Sequence, residues 1–287
     1  MRRTYLLLTM VLIAVVALSA GCRRVDLREE GDTTSETVRA QGAEKVEAEI
    51  HMGPGDLAIK SGANALMAGD FRYSDGRLAP QIDYQVDGDL GELDMRQNEG
   101  GNWFPPFWGP GYANDWDIMF ADDIPLDLRL QLAAGDVGIE LGDTMLEEFR
   151  IETGAGSLDI DVAGSDSLET IRVTTGAGDL RLDASDGSAL RRFDIETGAG
   201  SLRLDLSGSD WERDIEGRID GGAGDVTVTL PSDIGVEVWV ESGIGEVRAD
   251  GLMSDGNSWV NEAHGEGGPV MEIRITQGVG SVRLETD

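Results

Sequence analysis

The sequence predicts an all-β fold, a single elongated β-solenoid of stacked, glycine-turned units of about 22 residues, and three observations predict it. The first is repetition. "IETGAGSLDIDV" at 151–162 returns as "VTTGAGDLRLDA" at 173–184 and as "IETGAGSLRLDL" at 195–206. The second is alternation, since runs such as "VEAEI", "QIDYQV" and "LDLRLQL" exchange apolar and polar residues one by one, the period of a half-buried strand. The third is that no stretch beyond residue 22 sustains an apolar period of 3.6 residues.

In chain order, residues 1–21 read as a secretory signal: a basic "MRR", the apolar run "YLLLTMVLIAVVAL", then small residues in "LSAGC". The ending resembles a bacterial lipobox, with Ser19 where leucine is usual, and it makes Cys22 the expected lipidation site. The protein is then expected outside the cytoplasm, held to a membrane by an N-terminal lipid. Cys22 is also the chain's one cysteine, so no disulfide can form within it. Residues 22–44 are polar and lack periodicity, which predicts a lipidated, flexible tether. An N-terminal β region follows over 45–113 and the repeats over 114–287.

The second glycine of each turn falls at Gly135, Gly156, Gly178, Gly200, Gly224, Gly245 and Gly280. A recurring unit of this length buries its apolar face only against its neighbours, so the units stack. Alternation places Leu158, Leu180, Leu202 and Val226 in one inward ladder and Ile160, Leu182, Leu204 and Val228 in another. Asp161, Asp183 and Asp205 then fall in an outward column at a pitch of about 4.8 Å, where like charges repel.

Acidic residues outnumber basic ones 55 to 23, a net charge of −32. Such a surface repels phosphate backbones, which excludes nucleic acid as a partner. The acidic columns offer at most a weak site for Ca²⁺, because neither the nonapeptide calcium repeat nor an EF-hand loop is present. No other cofactor or metal is expected.

Residues 102–116, "NWFPPFWGPGYANDW", interrupt the pattern. Three prolines exclude a regular central strand and stiffen the segment. Trp116 suits a core strand, whereas Trp103, Phe104, Phe107, Trp108 and Tyr112 are the candidate partner-binding residues, for an envelope protein or a glycan. The alternative is that the loop folds back as a cap over the end of the solenoid. The second interruption, 252–269, holds His264 with Glu262 and Glu266; His51 is the other histidine. One histidine and two glutamates are a faint signal for zinc or for acid–base chemistry.

"MGPGDLAIKSGANALMAGDFRYSDGRLAPQIDYQVDGDLGELDMRQ" (52–97) resembles the N-terminal toast-rack domain of bacterial envelope proteins, and "NDWDIMFADDIPLDLRLQLAAGDVGIEL" (114–141) continues the resemblance. The later "LPSDIGVEVWVESGIGEV" and "TQGVGSVRLE" are similar to the glycine-punctuated solenoids of LiaF-like and adhesin-like proteins. The resemblance implies the fold and an envelope setting, and it supplies no catalytic residue. LiaF-like relatives are linked to envelope-stress signalling, but the chain lacks their multi-span membrane segment. The expectation is a non-enzymatic cell-envelope lipoprotein acting as an adhesin-like interaction or structural module. An accessory sensor of envelope stress is the alternative, and a polysaccharide-acting enzyme a third. The enzyme reading is the weakest of these, because the carboxylates recur with the repeat, whereas a catalytic pair needs two unlike environments.

Overall fold

The computed structural model describes residues 32–97, 112–209 and 211–287. The described residues form two sheets, of eleven and twelve strands. Each repeat is one rung: a strand in the larger sheet, a corner of one or two glycines, and a short strand returning in the smaller sheet. The rung Leu146–Ala155 and Leu158–Asp161 is followed by Thr170–Ala177 and Leu180–Asp183, then by Arg192–Ala199 and Leu202–Asp205. All pair in parallel with their counterparts.

Burial selects this register. Leu158 pairs with Leu180, Leu180 with Leu202 and Leu202 with Val226, all 2 % exposed or less. The facing sheet contributes Ile151, Val173, Ile195 and Ile219 to the same core. Each buried side chain contributes roughly 1.5–3 kcal/mol, and a slip of one residue would turn every one of them to water.

The corners admit only glycine. Gly178 has φ +132°, and a β-carbon there would run into the carbonyl oxygen of Gly156 one rung below. The corner backbone still hydrogen-bonds between rungs, Gly178 donating to Ala199 and Gly156 to Ala177.

The expected crowding in the aspartate column is relieved at the strand ends. The Asp161, Asp183 and Asp205 carboxylates each accept the backbone N–H two residues on, from Ala163, Ser185 and Ser207 at 3.0–3.2 Å. The hydroxyls of Ser185 and Ser207 donate to the same oxygens. These are Asx turns, which stop each strand and redirect the chain.

Two departures from a simple stack matter below. Asp32–Val38, within the segment expected to be tether, is a strand whose seven residues pair antiparallel with Met67–Tyr73. Residues 32–38, expected as tether, are therefore part of the smaller sheet. The last two rungs also stack out of chain order. Val270–Val279 and Val282–Thr286 insert between the rung Ile215–Ala223 and Val226–Leu230 and the rung Gly235–Ile244 and Val247–Asp250.

Candidate functional site at the first corner

The first rung is made by Leu90–Gln97 in the larger sheet and Asn114–Phe120 in the smaller one, each paired with the rung Lys45–Pro54 and Asp56–Ser61. Where later rungs turn on glycine, this one carries residues 98–113. The aromatic segment is thus an insertion at a corner. Its two ends are tied to the second corner by polar contacts. Gln97 Oε1 accepts from the Gly53 N–H at 2.6 Å, and the Tyr112 hydroxyl donates to the Pro54 carbonyl at 2.6 Å. Asn114 Nδ2 donates to the same carbonyl at 2.7 Å and its Oδ1 accepts from the Trp116 indole at 3.1 Å. Burial raises the Tyr112 hydroxyl above the ordinary tyrosine range. Trp116 is 1 % exposed and meets Phe71 edge to face at 5.3 Å, as a core residue should.

Of the candidate binding residues, Tyr112 is half-buried at the base of the insertion. Trp103, Phe104, Phe107 and Trp108 lie outside the described residues, as does Cys22. His264 does not join Glu262 or Glu266 in an ion pair; it faces Glu237 at 3.6 Å, and His51 faces Glu49 at 3.1 Å. An open depression of about 580 Å³ on the outer face of the larger sheet collects Glu47, Glu49, Asp83, Glu92 and Asp94, together with Arg96 and Arg129.

One surface feature was missed in the sequence. Arg129, Arg150, Arg172, Arg218 and Arg274 share an outward row across the larger sheet, with Asp194 between the third and fourth and Trp239 at the far end. Arg150 is bound to Glu152 on its own strand and Arg218 to Asp220 at 2.6 Å, while the Arg274 guanidinium lies over the Trp239 ring at 4.9 Å. The signal was available, because each of these seven residues stands six positions before the second glycine of its turn. In so acidic a chain, the row concentrates guanidinium groups suited to carboxylates or other planar anions.

Residues 27–170, and again 167–229, match the family model of the N-terminal domain of toast_rack, DUF2154. No curated protein matches the sequence. Among solved structures, a candidate cell adhesion protein of Clostridium sporogenes is 26 % identical with a TM-score of 0.51, covering 90 % of this chain and 100 % of that one. A candidate adhesin of Bacteroides fragilis is 13 % identical with a TM-score of 0.38, covering 89 % and 98 %. A candidate lipid binding protein of Parabacteroides distasonis is 11 % identical with a TM-score of 0.39, covering 88 % and 98 %. The family match spans well over half of the sequence, and the rungs it spans are those built above from burial and glycine: the chain belongs to the toast-rack family.

Proposed function

We propose that this protein is a non-enzymatic cell-envelope lipoprotein, anchored through Cys22, that acts as an adhesin-like interaction module. The observation that carries this reading is the likeness to the Clostridium sporogenes protein, which extends over nearly all of both chains. The chemistry of the rungs agrees with it. Their repeated aspartates serve as turn caps, so these carboxylates maintain a scaffold. The insertion at the first corner sits on a base fixed by Gln97, Tyr112 and Asn114, the arrangement in which a rigid framework presents a contact loop.

The test compares intact cells making the full chain with cells making a version in which residues 102–113 become a Gly/Ser linker. Both versions must first be shown to be folded and membrane-associated. Crosslinking and identification of captured molecules should then show an envelope protein or glycan held by the full chain and lost with the loop. An unchanged set would remove the loop from the binding role. Cys22→Ala should abolish incorporation of labelled palmitate, and continued labelling would contradict the anchor.

A further inference from the structure

The rung Gly235–Ile244 and Val247–Asp250 ends the stack. At every interior corner two backbone N–H groups donate to the next rung. Gly224 gives to Val279 and Val226 to Ser281, and one rung on Gly280 gives to Ile244 and Val282 to Glu246, all at 2.8–2.9 Å. The equivalent N–H groups of Gly245 and Val247 face no further rung among the described residues. The hairpin Met253–Asp255 and Ser258–Val260 covers only Glu237–Trp239 of the adjoining strand, so among the described residues Val240–Ile244 has no neighbour on that side either. The core is open here: Val240, Val247 and Ala249 are half-buried, where their counterparts Ile275, Val282 and Leu284 on the rung before are 1 % exposed or less.

We propose that a second copy of this chain docks on this bare rung, its strand Val247–Asp250 running antiparallel to the first about a two-fold axis at Val247. Charge selects both the occupant and the register. Glu246 and Arg248 flank Val247 on the outward face. An axis at Val247 sets Glu246 of each copy opposite Arg248 of the other, giving two opposite-charge cross-strand pairs. Moving the axis to Arg248 would oppose Arg248 to itself and Glu246 to Asp250. In a chain of net charge −32, a short stretch that complements itself when reversed is what an isologous contact needs. The contact supplies acceptors for the free N–H groups and closes the core over Val240, Val247 and Ala249. The covering hairpins lie on the half of each rung away from the corner, so the two copies' hairpins pass on opposite sides of the axis. An edge used once by each copy is consumed, and the assembly stops at two.

The experiment measures the mass of the full-length protein, purified in detergent, by light scattering across a concentration series with the micelle contribution subtracted. The wild type should dimerise. Arg248→Glu, which sets two acids opposite each other twice, should raise the dissociation constant at least about tenfold, a change of roughly 1.4 kcal/mol. Glu246→Arg alone should do the same, and Glu246→Arg with Arg248→Glu should restore dimerisation. Arg203→Glu, on the exposed face of an interior rung, should leave the mass unchanged. All three side chains are exposed, so the variants should keep the wild-type melting curve. A wild type that stays monomeric at its highest soluble concentration overturns the proposal. So does a dimer indifferent to Arg248→Glu, or one that the double reversal fails to restore.

Discussion

The two ends of the stack solve the same problem differently. At the first end, Met67 and Phe71 are fully buried, and Leu66, Leu78 and Tyr73 are 3 %, 4 % and 8 % exposed. The antiparallel strand Asp32–Val38 lies outside them, and the Tyr84 hydroxyl donates to the Ala40 carbonyl at 2.8 Å. At the other end Val236 and Val238 are fully buried, whereas Val240, Val247 and Ala249 remain half-buried, with Leu252 and Trp259 closing part of the opening. A repeating sequence specifies how one rung meets the next and holds no instruction for stopping. Stopping takes residues outside the repeat, and among the described residues a full set stands at one end only.

Four substitutions would break or sharpen that contrast. Leu180→Asp places an unpaired charge in the middle of the ladder and should remove about 4 kcal/mol or more, enough to unfold the domain; circular dichroism would read it. Trp116→Ala at the closed end should cost roughly 3–5 kcal/mol, measured by urea unfolding. Val240→Ala at the open end should cost only about 0.5–1 kcal/mol, since that side chain is already half in water. If the two end substitutions proved equal, the asymmetry between the ends would be wrong.

The smallest effect is on pH dependence. Asp287 accepts the Gly208 N–H at 2.9 Å and the Ser232 N–H at 2.9 Å, and the Gly208 bond chiefly holds its carboxyl below the ordinary range of aspartate. Because the folded value is depressed, the stabilisation is complete above the unfolded value of about 3.9 and is lost as pH falls through the folded value. Asp287→Asn should flatten that part of the acid limb of the stability curve. A curve unchanged below pH 4 would show that these bonds contribute nothing.

The central ladder was legible because burial imposes a strict period of two on Leu158, Leu180 and Leu202. The strand Asp32–Val38 was not, because "DTTSETV" lies on an exposed edge where neither face selects apolar residues. The first-corner insertion stood out by composition, but its place in the stack depends on the pairing of Leu90–Gln97 with Lys45–Pro54, which leaves no mark in either strand alone. The arginine row was readable from the glycine spacing, yet exposed rows vary freely and draw the eye less than buried ones. The order of the final rungs was also written. After the second glycine stand Asp136, Ser157, Asp179, Ser201 and Asp225, and alternation continues through Ser281 to Glu246 only in the spatial order. The aspartates accept from the next rung, Asp136 from Ser157, Asp179 from Ser201 and Asp225 from Ser281, at 2.9–3.0 Å.

The inserted rung sets a problem of timing. Residues 235–250 leave the ribosome before 270–286 and meet the open edge of 215–230 first, so the nearest partner in time is the wrong one in space. A solenoid otherwise able to zip from neighbour to neighbour must hold that edge vacant, or vacate it, until the later segment arrives. Premature pairing would set Glu246 beside Asp225, where the finished stack has Ser281 between them. In the finished stack the Ser281 N–H instead donates to Asp225 at 2.9 Å, so the late segment keeps apart two like charges that neighbour-to-neighbour stacking would bring together.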